Sequence, residues 1–313
     1  MMNSESEKNV DLSIKLGRIS LNNPVLVAAG TFGYGEEYAK LIDLNKLGGI
    51  ITKTVTLEPR KGNPPPRLTE TPAGLLNAIG LENPGINIFL KEKLPFLSQF
   101  EATLIVNIAG EKEEDYLSLA ERLNGKERID ALEINISCPN VKEKGLIFGT
   151  DPGRTFSLVK KLREVTHIPL IIKLTPNVTD ISEIAQAAEE AGAEALSLIN
   201  TILGMSIDVE TRRPKLGNIT GGLSGPAIRP IAVRMVRDTF QKVSLPIIGM
   251  GGITCSQDAL EFILAGASAV AVGTANFVDP STTLKIIEGI KEYMQRKSVE
   301  NFSDLVGWLE DSV

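Results

Sequence analysis

The sequence is poor in the side chains that most often carry metal and redox chemistry. Its 313 residues include two cysteines, Cys138 and Cys255, and one histidine, His167. Two thiols cannot supply the four ligands of an iron–sulfur cluster or build a disulfide framework. A reducing, cytoplasmic setting is expected. A lone histidine argues against a His-based triad or a His-rich metal centre. It sits in "VTHIPL", where a helix-to-strand turn is its expected place. No apolar run reaches membrane-spanning length, because Gly, Asn, Lys or Pro interrupts each strand-like run within about ten residues. The opening "MMNSESEKNV" is polar and lacks the apolar core of a signal peptide, so residues 1–10 are expected to form a flexible tail. A net charge of −6 argues against nucleic acid or an anionic membrane as partner.

What is present reads as a globular α/β chain, 42% hydrophobic and 23% charged. Short Val/Ile/Leu-rich runs recur at Asn23 to Gly30, Gly48 to Val55, Thr103 to Gly110 and Ala131 to Cys138. They continue at Pro169 to Pro176, Ala195 to Ile202, Pro246 to Ile253 and Ala269 to Asn276. Such runs suit parallel strands covered on both faces. Amphipathic segments lie between them. In "DISEIAQAAEEAGA", Ile181, Ile184, Ala185 and Ala188 form one stripe, Asp180 stands at the N-cap and Gly192 closes the segment. In "PAIRPIAVRMVRDTF" the expected stripe is Ile228, Ile231, Ala232, Met235 and Val236. Eight strands alternating with helices predict a single (β/α)8 TIM barrel over residues 1–313. A doubly wound open sheet competes, but no G-x-G-x-x-G follows the first strand. Two insertions, Thr56 to Gly85 after strand 2 and Leu203 to Gly225 after strand 6, leave from the end of the barrel that carries active sites.

The same strand ends are polar. Lys53, Asn107, Asn135, Lys173, Asn200 and Thr201 all fall there, and together they would ring a small planar ligand with ammonium and amide groups. Singly, each has a plain explanation as a snorkelling lysine or a turn-capping asparagine. Gly249, Gly251 and Gly252 mark strand 7, and Gly273 with Thr274 marks strand 8, where barrels often bind phosphate through backbone N–H groups. No carboxylate cluster is needed to hold a metal. Free cysteine is commonly a small buried hydrophobe, whereas the place of Cys138 at the end of strand 4, between Asn135 and Asn140 and next to Pro139, favours reactivity, so both readings stay open on the residues alone. Cys255 follows "GGIT" at a helix start, has no polar constellation around it, and reads as structural.

These pieces, "KTVTLEPRKGNPPPR", "LLNAIGLENPG", "NISCPN", "IIKLTPN", "GGLSGPAIRP", "IGMGGI" and "AVGTANF", resemble in order and spacing the catalytic, FMN-carrying subunits of class 1B dihydroorotate dehydrogenases. The likeness runs from about Leu12 to Phe277. The stretch from Lys53 to Leu81 favours the 1B branch over the fumarate-dependent class 1A branch. The membrane extension and catalytic serine of class 2 are not seen.

The resemblance implies oxidation of (S)-dihydroorotate to orotate in de novo pyrimidine synthesis. FMN would take the hydride and Cys138 the proton. The substrate would meet Lys53, the run Asn77, Ala78, Ile79, Gly80 and Leu81, and Asn135, Asn200 and Thr201. FMN would meet Ala29, Gly30, Lys53, Thr54, Asn107, Asn135, Lys173, Ile199, Gly225, Gly251, Gly252, Gly273 and Thr274. Ala29 departs from the family, which often has serine there, so a hydroxyl contact is lost while a backbone contact can survive. The resemblance also implies a partner subunit carrying FAD and a 2Fe–2S cluster, which passes electrons to NAD, and a homodimer within a heterotetramer. Two rivals stay open on the residues alone: a Schiff-base aldolase using Lys173 or Lys53, and a non-catalytic phosphate-binding scaffold.

Overall fold

The computed structural model describes residues 10–137 and 148–310. Eight parallel strands close into a barrel in sequence order. They are β1 (Val25–Val27), β2 (Gly49–Ile51), β3 (Thr103–Ile108), β4 (Ala131–Asn135), β5 (Leu170–Lys173), β6 (Ala195–Leu198), β7 (Ile247–Met250) and β8 (Ala269–Val272). Every one lies inside a run expected from the sequence. Most stop short of the run's C-terminal end, because the chain leaves the ladder there to build the rim.

Side chains alternate along each strand, and the alternation separates two cores. Leu26, Ile51, Ile105, Ala131, Ile171, Ala195, Ile248 and Ala269 point into the barrel and pack together. Their neighbours, such as Val25, Val27, Leu104, Val106, Leu132, Leu170, Leu196 and Val270, face outward into the helix layer. The interior is therefore filled, not open, at its lower levels. An N-terminal hairpin, Ile14–Leu16 with Ile19–Leu21, plugs the lower end with Leu16, Ile19 and Leu21. Its turn residue Gly17 has φ 61°, and a Cβ there would come 3.1 Å from the Glu194 carbonyl oxygen. Arg18, in the same turn, donates from Nε and Nη2 to Glu194 at 2.8 and 2.6 Å, tying the plug to the start of β6.

Two helices of the barrel layer begin where an aspartate side chain replaces a missing intrahelical partner. The Asp151 carboxylate accepts from the Arg154 N–H at 2.8 Å ahead of Pro152–Val165. Asp180 accepts from the Ser182 N–H at 2.8 Å ahead of Ile181–Glu190, and Gly192, at φ 96°, ends that segment as expected. Ile228, Ala232, Met235 and Val236 are buried, but Ile231 is 40% exposed, so the stripe of helix Arg229–Phe240 is narrower than expected. At about 100° per residue Ile231 falls on the flank of that face, about 90° from its centre, rather than within it. His167 is exposed between helix Pro152–Val165 and β5, as the sequence suggested. Among the described residues, no helix is long and apolar enough to cross a membrane.

The two insertions do not form separate lobes. They pair with one another in a four-stranded antiparallel sheet, in the order Ile202–Met205, Thr220–Ser224, Gly74–Asn77, Leu68–Thr71. Leu76, Ala78 and Leu216 give this sheet a small core of its own. The tail expected over residues 1–10 lies outside the described residues, except for Val10, which packs against the main core.

Candidate functional site

The inward row of side chains changes character near the C-terminal ends of the strands. Two positions above the apolar Ile105 stands Asn107; above Ala131 stand Glu133 and Asn135; above Ile171 stands Lys173; above Ala195 stand Ser197 and Ile199. Parallel register sets Lys173 level with Asn135 on one side and with Ser197 on the other. The result is a band of buried polar groups on an apolar floor.

Glu133 is the centre of that band and is fully buried. Ser197 Oγ donates to its Oε1 at 2.7 Å, Asn107 Nδ2 donates to its Oε2, and Lys173 Nζ lies 3.4 Å from Oε2. A buried charge must be paired and hydrogen-bonded to be tolerated, and here three donors satisfy one carboxylate. Asn107 Oδ1 is buried and has no partner. Native interiors leave few such groups, so this oxygen, set among the donors of the polar band, is free to accept from a bound water or ligand.

Asn200 Nδ2 lies 3.5 Å from Asn135 Oδ1, and the Thr201 N–H donates to Asn200 Oδ1 at 2.8 Å. These links bring the β4, β5 and β6 ends together. The insertion sheet closes over them. Asn77 Nδ2 donates to the Gly222 carbonyl at 3.2 Å, and the missing Cβ of Gly222 leaves the space that Thr201 Oγ1 occupies, 2.1 Å from where that Cβ would stand. Asn77 and Thr201 thus flank one glycine. The remainder of the run turns away toward a neighbouring loop. Ala78 is buried with Leu76, and the Ile79 carbonyl accepts from the Asn63 N–H at 2.9 Å. Gly80 packs on Asn63, and the Leu81 carbonyl accepts from Asn83 Nδ2 at 2.8 Å. Asn83 Nδ2 also donates to Thr56 Oγ1 at 2.8 Å, which anchors this run to the segment leaving β2. Lys53, two residues beyond β2, is half-buried, and its N–H donates to the Gly33 carbonyl at 2.8 Å. Thr54 is buried beside it.

The glycines form the opposite arc. Gly225, Gly251 and Gly252 have φ of 92°, 130° and 77°, conformations that side chains resist. A Cβ on Gly252 would come 2.7 Å from the Gly225 carbonyl, and one on Gly251 would come 3.4 Å from Ile199. Thr274 Oγ1 donates to Ser224 Oγ at 2.8 Å, beside Gly225. No backbone hydrogen bond among the described residues uses the N–H of Gly251, Gly252, Gly273 or Thr274. Gly30 closes the arc with open space around it, and Gly273 faces Ala28 and Thr31 across β1 and β8. Ala29, between Ala28 and Gly30, is half-buried and packs against the inner core. N–H groups and hydroxyls on one side, with cations and an orphaned acceptor on the other, fit a planar, phosphate-bearing cofactor.

Cys138 lies outside the described residues. Cys255 is exposed at the N-cap of helix Ser256–Ala265, where its N–H donates to Asp258 Oδ2 at 3.2 Å. It therefore caps a helix, away from the polar band. Glu133 and Ser197 were missed by sequence reasoning. Their signal was the two-residue period itself, which places both on the inner face with Asn135 and Lys173.

A parallel barrel with an amide-and-lysine band at its C-terminal mouth and glycine-lined backbone opposite defines a (β/α)8-barrel enzyme. The chain belongs to the dihydroorotate dehydrogenase family, whose model matches residues 11–294. It is 55% identical over 298 residues to a protein of Desulforudis audaxviator, covering 95% of this chain and 97% of that one. It is 54% identical over 299 residues to one of Geotalea uraniireducens, covering 96% and 98%. It is 51% identical over 301 residues to one of Thermoanaerobacter pseudethanolicus, covering 96% and 99%. All three are named dihydroorotate dehydrogenase B (NAD(+)), catalytic subunit. The crystal structure of DHODH from Eimeria tenella in complex with ferulenol shares the fold, with a TM-score of 0.80 at 24% identity over 98% of this chain and 91% of that one.

Proposed function

We propose that this chain oxidises (S)-dihydroorotate to orotate in pyrimidine synthesis, as the catalytic subunit of a B-type, NAD-linked dihydroorotate dehydrogenase in the cytoplasm. The observation that carries the reading is the buried band at the barrel mouth. It sets a cation, Lys173, next to an orphaned acceptor, Asn107 Oδ1, in a chain whose family performs this reaction.

FMN is the cofactor that this donor set fits, and when bound it supplies the two-electron acceptor. Lys173 and Asn107 would meet the polar edge of its ring, with Thr54, Asn135 and Ile199 beside them. The backbone at Ala29, Gly30, Gly225, Gly251, Gly252, Gly273 and Thr274 would hold its phosphate arm. Lys173 offers a counter-charge to the ring when that gains electrons. Lys53, Asn77, Asn135, Asn200 and Thr201 would hold the substrate, the lysine against its carboxylate and the amides against its ring edge. The run Ala78 to Leu81 would form the wall behind it.

Cys138, in "NISCPN", would take the proton from C5 of dihydroorotate while the hydride leaves C6. A thiol of ordinary pKa, near ~8.5, is a suitable base for such a weakly acidic carbon at mildly alkaline pH. A Schiff-base aldolase needs an unpaired amine, whereas Lys173 is ion-paired with Glu133. That pairing disfavours the aldolase reading at this lysine.

The electrons would pass to NAD through a partner subunit carrying FAD and a 2Fe–2S cluster, with this chain as a homodimer in a heterotetramer. Apolar side chains displayed on the insertions support a protein-binding face, among them Leu203, 60% exposed, and Val209, 78% exposed.

The test is anaerobic stopped-flow reduction of bound FMN by dihydroorotate across a pH series. Cys138→Ser is expected to retain FMN and orotate and to slow reduction by ~10²–10⁴-fold. Cys255→Ser is expected to leave the rate nearly unchanged. Wild-type rates in Cys138→Ser throughout the series would remove the thiol from the mechanism.

A further inference from the structure

Glu133 has no part in the proposed chemistry, yet it is a carboxylate held inside the barrel by three side-chain donors. It is fully buried, and its three partners, Ser197 Oγ, Asn107 Nδ2 and Lys173 Nζ, are all donors. A carboxylate that only accepts forces each partner to turn a donor toward it. For Lys173 that fixes where the ammonium sits. For Asn107 it decides more. The amide must direct Nδ2 to Glu133, so its oxygen is left over, and Oδ1 is the buried atom without a partner. Glu133 thereby fixes which end of the Asn107 amide is left unpaired, and it holds a cation on the same carboxylate oxygen.

The charge count matters as well. Lys173 is 6% exposed at its side chain and Glu133 is 0% exposed, so little solvent screens either. Glu133 is the one acceptor found for Lys173 Nζ among the described residues. The carboxylate partly cancels the field that Lys173 would exert on a ring above it.

We propose that Glu133 is a positioning residue that fixes the orientation of the Asn107 amide and trims the positive field of Lys173, and so sets the reduction potential of the flavin bound in this mouth. The proposal rests on the flavin reading given above. The ligand chemistry it implies is a ring edge with an N–H donor next to a group that becomes negative on reduction.

The experiment measures the midpoint potential of FMN on the intact chain by anaerobic dye titration, with FMN content and thermal unfolding recorded alongside. Glu133→Gln keeps the size but removes the charge and turns one of the two acceptor oxygens into a donor, so the Asn107 amide is also released from its fixed orientation. The anionic reduced ring is then held more tightly than the oxidised one by roughly tenfold, which raises the two-electron midpoint by about 30 mV. Lys173→Met is expected to lower it. The double variant removes both charges and leaves neither ion uncompensated, so it covers the case in which Glu133→Gln alone fails to fold. Its midpoint is expected to lie above that of Lys173→Met. A Glu133→Gln midpoint equal to wild type, or a double variant equal to Lys173→Met, overturns the proposal while leaving the flavin reading intact. A wild-type chain that binds no FMN overturns both.

Discussion

At the scale of single residues, the site depends on charges made tolerable by their neighbours. Lys173 is buried because Glu133 faces it, and Glu133 is buried because Asn107 and Ser197 complete its shell. Removing one member of such a set costs more than its own contacts, since the remaining ion is stranded. Lys173→Ala is therefore expected to weaken FMN retention by at least ~10-fold and to slow flavin reduction, because the reduced ring loses its counter-charge. Equilibrium dialysis of FMN and stopped-flow reduction check this; unchanged content and unchanged kinetics together would take Lys173 out of the site. The sequence displayed Lys173, Asn107 and Asn135 as polar residues in apolar runs, and that contrast made them legible. Glu133 was just as visible in "ALEINIS", but a glutamate in a strand reads first as a solvent-facing side chain. The two-residue period puts Glu133 on the same face as Asn135, and closure of the barrel buries that face.

At the scale of elements, all eight barrel strands could be read from local pattern, because a parallel strand buried on both faces is a continuous apolar run. The insertion sheet could not. Its strands are short, glycine-rich and paired across 145 residues between Asn77 and Gly222, a contact that local periodicity does not encode. Its consequence for the site is direct. Gly222→Ala would place a Cβ where Thr201 Oγ1 now sits, and Thr201 must move. The expected result is a KM for dihydroorotate raised several-fold with FMN content unchanged, read by steady-state kinetics with an artificial acceptor. An unchanged KM would place Thr201 outside the substrate's reach.

The lower hairpin makes a second prediction at this scale. Hydrogen bonding from Arg18 holds the Glu194 carboxyl below the usual carboxylate range, with burial opposing and the charges of Arg18 and Arg163 assisting. A carboxyl whose folded pKa is depressed stabilises the fold above its unfolded pKa. That contribution is lost as pH falls through the folded pKa. Arg18 is largely exposed, so the screened gain is on the order of 1 kcal/mol or less. Glu194→Gln should lower Tm by about one to two degrees at neutral pH and by progressively less as the pH drops into the acid limb. Thermal melts across pH read this, and a pH-independent deficit would contradict it.

At the scale of the whole molecule, the proposed division of labour agrees with what the chain contains. Two cysteines leave no set of four thiolates for an iron–sulfur cluster within one chain, in keeping with a catalytic subunit that hands electrons on to a partner. Purification of the chain alone, followed by anaerobic addition of dihydroorotate, puts the central claim to the test. The expected result is bleaching of the visible flavin absorbance with about one orotate formed per flavin. NAD should fail to restore the colour until an iron–sulfur, FAD-bearing partner is added. A colourless protein, or a flavin that dihydroorotate leaves oxidised, would contradict the assignment of this barrel as a dihydroorotate-oxidising flavoenzyme.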